Sequence, residues 1–324
     1  MIGAYSLHDV LVHLSDTTVT EPITIGPWQI IPMTGGTNNL LYRACGPDQD
    51  VIIKWCIRDT RQRAVREYAA LALLNEVQPG CAPRPLLVDT TQYRQPVIVQ
   101  SYVPGVVYTN PPETDDEWHQ LVACLVRIHQ VAERPWSSLM PAVINAHSVA
   151  TARQLIHSQL ATLPADAWPP TLLELVHGLE TTVIDELPSI PLVLCHVDSN
   201  YRNFIRTPDG VVAVDWENSG WGDPAFEIAE LVAHPAYQEI PQSRWRWVID
   251  TYSCTWNDAH AMRHRIETHL RIYRVWWVVR FARYLYEVPR QRDQRLVARE
   301  PNWQYDMQEK YNRYLIDAWR GLAD

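Results

Sequence analysis

Short apolar runs rich in β-branched and aromatic residues occupy positions 27–33 (PWQIIPM), 40–45 (LLYRAC) and 50–56 (DVIIKWC), separated by Gly, Pro, Asn and Asp. That pattern predicts three strands. Residues 60–77 (TRQRAVREYAALALLNEV) change to helical spacing, with Thr60 placed to cap the helix. Strand character returns at 84–89 (RPLLVD) and 95–103 (QPVIVQSYV). Pro104, Gly105, Pro111 and Pro112 then mark a connector. Beyond it helical patterns dominate, at 116–132, 149–163 and 171–187 and again from about 224 to the end. They are interrupted by residues 203–216 (NFIRTPDGVVAVDW), a hairpin turning at Pro208, Asp209 and Gly210. The expected organisation is α+β: a β-rich N-terminal lobe over 1–103, a hinge near 100–105, and a mainly α-helical C-terminal lobe over 104–324.

Composition narrows the class. The chain is 47% hydrophobic and 20% charged, as expected of a soluble globular protein with a real core. A net charge of -9 argues against a surface dominated by nucleic-acid binding. The six cysteines form no C-x-x-C pair, so neither a zinc ribbon nor a thioredoxin motif is indicated, and a reduced, cytoplasmic setting is expected. The N-terminus lacks a basic start followed by an apolar block, and the run VWWVV is flanked by Arg274 and Arg280. No signal peptide and no membrane partner are therefore expected. Nothing in the sequence speaks to oligomeric state.

The chemistry concentrates at 192–205 (LVLCHVDSNYRNFI), where an apolar run delivers His196, Asp198, Asn200, Arg202 and Asn203 to one spot. His196, Asp198 and Asn203 form H-x-D-x-x-x-x-N, and the hairpin's second strand ends at Asp215. This order is that of phosphoryl-transfer sites, where one Asp accepts the acceptor hydroxyl's proton and an Asn and a second Asp hold metal. The competing reading is a surface turn built from Asn and Asp. Other elements agree with the first reading. Lys54 lies in the apolar strand VIIKW, where a charge is costly unless paired, and Glu67 lies on the next helix among apolar neighbours. Taken singly, each is equally compatible with a solvated position. Gly35 and Gly36 sit between two strands, where bare backbone can approach phosphates. Gln100 and Tyr102 fall where a strand runs into the Pro-Gly connector, a place for backbone to meet an adenine edge.

Three segments together resemble the aminoglycoside phosphotransferase and choline kinase family: GGTNNLLYR, HVDSNYRN and VDWENSGWGDPAFEIAEL. The resemblance covers roughly residues 25–235. It implies a bilobal protein-kinase-like fold and a kinase using ATP, or another nucleoside triphosphate, with Mg²⁺ on a small-molecule hydroxyl acceptor. It also implies Asp198 as base, with His196 beside it in the catalytic loop. Asn203 and Asp215 would be Mg²⁺ ligands. Lys54, Glu67, Gly35, Gly36 and Asn39 would lie on the nucleotide side. The alternative of a different class is a nucleotide-binding pseudokinase of the same fold. Val197 stands where the family commonly has Gly, adding a Cβ beside the catalytic turn. A protein kinase fits poorly, because almost no chain separates Asp215 from Gly222 to serve as an activation segment.

Several neighbours remain open. Asp223, before Pro224 and an apolar helix, suits a helix cap. Glu217 either reaches a metal through water or follows the strand into solvent, and His196 suits loop stabilisation better than acid–base work. Trp276, Trp277 and Tyr284 offer aromatic faces to an acceptor, although packing against the lobe core explains them better. The arginines from Arg263 to Arg283 sit awkwardly with a polycationic acceptor. His260 and His264, four apart, lack the Glu or Cys partners of a zinc site.

Overall fold

The computed structural model describes residues 6–33, 39–134, 137–292, 296 and 301–323. The N-terminal region is a six-stranded antiparallel sheet built from β1 (Ile23–Ile25), β2 (Trp28–Met33), β3 (Leu40–Cys45), β4 (Asp50–Trp55), β5 (Pro85–Asp89) and β6 (Val97–Ser101). Its spatial order is β1-β2-β3-β4-β6-β5. Helix α1 (Leu7–Asp16) was not foreseen, nor was β1. Ser6 caps α1 in a reciprocal box with Asp9, and Val10, Leu11 and Leu14 join Trp28, Ile30, Tyr42 and Trp55 in one core. Helix α2 (Arg63–Val77) begins later than expected and Thr60 does not cap it. Gln62, in left-handed backbone, precedes the first turn without a side-chain cap. Arg63 and Arg66 hold that turn through bonds described below.

The C-terminal region is mainly helical. β7 (Val106–Val107) leads to α3 (Asp115–His129), whose acidic start Thr114–Glu117 is a capping box. Helices α4 (Val149–Leu160) and α5 (Pro170–Thr181) follow, then β8 (Val193–Cys195), β9 (Phe204–Thr207), β10 (Gly210–Ala213) and β11 (Gly220–Gly222). β9 and β10 form the expected hairpin, with Gly210 facing Thr207 at φ +118°, a conformation glycine adopts freely. β11 pairs antiparallel with β8, a strand the motif GWG had concealed. α6 (Pro224–Ala233), α7 (Gln242–Ser253), α8 (Ala259–Glu287) and α9 (Trp303–Ala323) complete the chain. The 29-residue α8 is the spine against which α4, α6, α7 and α9 pack. The chain is thus α+β, a β-rich N-terminal region followed by a helical C-terminal region. Among the described residues no helix is long and apolar enough to cross a membrane.

Candidate active site

Two segments converge on Lys54 of β4, helix α2 and the stretch after β10. Its ammonium bonds Glu67 Oε2 at 2.7 Å, pairs with the Asp215 carboxylate, and lies 3.6 Å from Glu217 Oε2. Only 2% of Lys54 and none of Glu67 is exposed, so the solvated reading falls for both. Burial works against the lysine's charge, but Asp215, Glu67 and Glu217 outweigh it and raise its pKa well above the ordinary value. Burial presses Glu67 upward against the pull of Lys54. On β4, Lys54 faces Leu41 of β3 and Ile98 of β6. Gln100 pairs with Ile52 and therefore lies on the same sheet face, two positions along β6 from Ile98. Tyr102 is placed differently. Its amide donates to the Asp50 carbonyl at 3.0 Å and its ring lies under the Arg43 guanidinium, so that amide is committed within the sheet. Gly35 and Gly36 lie outside the described residues.

Glu217 is the residue whose role the sequence left open, and it does not run into solvent. It is 2% exposed, accepts from Asn39 Nδ2 at 2.5 Å and pairs with Arg63. Asn39 also accepts from the Ile57 amide, so both ends of its side chain are engaged. Arg66 of α2 donates to the Pro141 and Ser219 carbonyls at 2.6 and 2.8 Å. The N-terminal sheet and α2 are thereby stapled to the segment that carries Asp215.

The opposite wall is the loop after β8. His196 is fully buried, its ring edge-on to Trp216 and its Nε2 2.8 Å from the Val214 carbonyl. Burial lowers its pKa, and the imidazole acts as a brace between loop and hairpin. Val197 has φ +58°, in the left-handed region, and Asp215 has φ +67°. These two reversals turn Asp198 and Asp215 away from the strands that deliver them. Asn203 donates from Nδ2 to the Asp198 carbonyl at 3.1 Å, and its own carbonyl accepts from the Val214 amide at 2.8 Å. The loop and the hairpin are therefore knitted through backbone. Asp198 is half-buried. Burial, then the Asp215 and Glu217 charges, push its pKa up, whereas for Asp215 the Lys54 charge overcomes burial and pulls it down.

Two acids on α6 that sequence reasoning passed over hold this loop. Glu227, fully buried, accepts from the His196 amide at 3.0 Å, the Val197 amide at 3.3 Å and His129 Nε2 at 3.0 Å. Glu230, one turn on, accepts from the Ser199 amide at 3.1 Å, and burial raises its pKa to about 8. Both look like the polar face of an amphipathic helix. The available signal was that every other residue of PAFEIAELVA is apolar, which leaves the helix no solvent face. Asp223 caps α6 through Ala225 N at 2.9 Å and also meets Arg265 Nε at 2.6 Å and His269 Nε2 at 3.1 Å. His269 is thus spent on Asp223. Trp276 is 3% exposed and stacks on Tyr273 at 5.0 Å, which agrees with core packing.

Four carboxylates (Glu67, Asp198, Asp215 and Glu217) thus face one lysine and one arginine. The oxygen donors of Asn203 and Asp215 and this surplus of negative charge suit a hard divalent cation such as Mg²⁺.

Known proteins resemble the chain in sequence and in fold. The family model described as phosphotransferase enzyme family matches residues 29–263. A thiamine kinase of Escherichia coli O1:K1 is 28% identical over 170 residues, 52% of this chain and 52% of that kinase. The chain therefore spans about half the length of the curated relatives it matches. A putative aminoglycoside phosphotransferase from Ralstonia eutropha JMP134 superposes with TM-score 0.65 at 12% identity, covering 93% of this chain and 94% of that one. A choline/ethanolamine kinase family protein from Mesorhizobium loti superposes with TM-score 0.60 at 18% identity, covering 91% of each. These two structures speak to fold alone.

Proposed function

The chain belongs to the phosphotransferase enzyme family, and from that premise we propose that it transfers the γ-phosphoryl group of ATP to a hydroxyl of a small molecule. The observation that carries the reading is the Lys54–Glu67–Asp215 contact facing Asp198 across a knitted loop and hairpin. Lys54, oriented by Glu67, holds the nucleotide's α- and β-phosphates. Asp198 would accept the acceptor hydroxyl's proton, and the burial and the Asp215 and Glu217 charges that raise its pKa strengthen it as a base. Asn203 and Asp215 would hold Mg²⁺, which when bound neutralises charge on the transferring group. His196 and Glu227 position the loop without touching substrate. The Gly35–Gly36 turn would cover the phosphates, and the Gln100–Tyr102 segment would border the adenine. We place the lobe boundary at 103/104, with the N-terminal lobe on the nucleotide and the C-terminal lobe on the acceptor.

The test is ATP turnover across a panel of hydroxylated acceptors: thiamine, choline, ethanolamine and aminoglycosides. Asp198→Ala lowers turnover with a responding acceptor by roughly 10²–10⁴ and leaves Mg·ATP binding in place. Asp215→Ala instead weakens Mg·ATP. Near-normal turnover in Asp198→Ala removes its assignment as base. Intact Mg·ATP binding with no stimulation by any acceptor would overturn the transferase reading.

A further inference from the structure

The three carboxylates around the Lys54 ammonium are not equally free. Glu67 Oε2 lies at 2.7 Å, Asp215 is in direct contact, and Glu217 Oε2 lies at 3.6 Å. The Asp215 side chain is 32% exposed, whereas those of Glu67 and Glu217 are closed off at 0% and 2%. Asp215 is thus the one of the three that opens to solvent. In the proposed transfer Lys54 goes to phosphate and Asp215 to Mg²⁺, so that pair has to part. Glu67 and Glu217 stay behind with the lysine.

Glu217 is fixed where it stands. Its Oε1 accepts from Arg63 Nη1 and its Oε2 from Asn39 Nδ2 at 2.5 Å. Those donors are themselves held. Arg63 Nε bonds Asp59 Oδ2 at 2.8 Å, and Asn39 Oδ1 accepts from the Ile57 amide at 3.3 Å. The carboxylate is therefore tied to the start of α2 and to the residue before β3, and it cannot follow Asp215. With both oxygens engaged and almost no exposure, it faces the ammonium rather than the cleft. A buried charge that loses a partner is costly to keep, and a fixed anion beside it lowers that cost.

We propose, resting on the phosphoryl transfer inferred for this site, that Glu217 is a positioning residue acting through Lys54: the fixed carboxylate that retains the ammonium when Asp215 is released. A neutral residue at 217 leaves Lys54 leaning harder on Asp215. Asp215 is then released at greater cost, and Mg²⁺ adds less to nucleotide affinity.

The experiment is calorimetric titration of the full chain with the non-hydrolysable ATP analogue AMP-PNP, with saturating Mg²⁺ and again with chelator. Glu217→Gln suits it, because the amide is isosteric, its oxygen still accepts from Asn39, and Arg63 keeps Asp59. The parent binds the analogue more tightly with Mg²⁺. In Glu217→Gln that gain shrinks about tenfold, the low end for losing one contact with a charged group. Glu217→Asp keeps the charge but draws it back by one methylene; its gain falls only about threefold, and it supplies the comparison if Glu217→Gln does not fold. In Lys54→Met, titrated to higher concentration, adding Glu217→Gln changes the gain no further. Equal weakening with and without Mg²⁺ marks a merely structural role and overturns the proposal, as does an undiminished gain. The same fall in the Lys54→Met background also overturns it, since Glu217 would then act on the cation directly. A parent that binds AMP-PNP in neither condition instead overturns the nucleotide reading itself, and this role for Glu217 with it.

Discussion

Val197 allows a sharp test of the turn that precedes Asp198. At φ +58° a non-glycine residue pays about 1–2 kcal/mol, and a β-branched one sits poorly there. The side chain recovers part of this by burial: it is 5% exposed and packs with Val193, Cys195, Ile144 and Trp256. Val197→Ala removes two methyl groups, about 1.6 kcal/mol at ~0.8 each, and keeps the backbone penalty. Val197→Gly removes a third carbon and adds glycine's entropy of about 0.5–1 kcal/mol, but releases the 1–2 kcal/mol of strain. Both variants therefore land about 1.6 kcal/mol below the parent. At an unstrained position the glycine variant would fall about 1.5 kcal/mol below the alanine one, so the prediction is that this gap closes to roughly zero. Urea denaturation at matched m-values measures it. A glycine variant more than about 1 kcal/mol less stable than the alanine variant would falsify the idea that the turn is strained.

Other consequences are equally concrete. Glu227→Ala strands the His196 and Val197 amides and His129 in the core; a loss of about 3–5 kcal/mol is expected, and under 1 kcal/mol in denaturation would show the clamp to be dispensable. Burial would raise Asp223 and Glu227, but His269 with Arg265 holds the first below its ordinary value and His129 with His196 the second. Their stabilisation is complete above the unfolded-state pKa near about 4 and is lost as pH falls through the lowered folded values. The urea midpoint should drop between pH 6 and pH 3, more steeply in the parent than in Asp223→Asn; identical slopes would remove Asp223 from the account.

The order of strand lysine, helix glutamate, and the loop carrying Asp198 and Asn203 was legible because each sits on or beside an element whose hydrophobic pattern is plain. Buried charge was not. Glu217 reads like any residue leaving a strand, and its engagement with Asn39 and Arg63 depends on the reversed backbone at Asp215, which no pattern announces. Glu227 and Glu230 were passed over because acids at i and i+3 ordinarily mark a wet face. Thr60 failed as a cap because α2 is anchored by its arginines to another segment, a tertiary contact that overrides local capping. α1 and β1 are short, and only the sheet that α1 covers and β1 edges explains them.

The α6 clamp changes what kind of segment the loop after β8 is. Loops usually exchange their amide hydrogens through small local openings. The His196, Val197 and Ser199 amides instead end on carboxylates of a helix that is buried along nearly its whole length. They cannot open unless α6 does, and α6 packs against the α8 spine. By sequence this stretch is a turn, but by cooperativity it belongs to the core, and its amides share the core's protection.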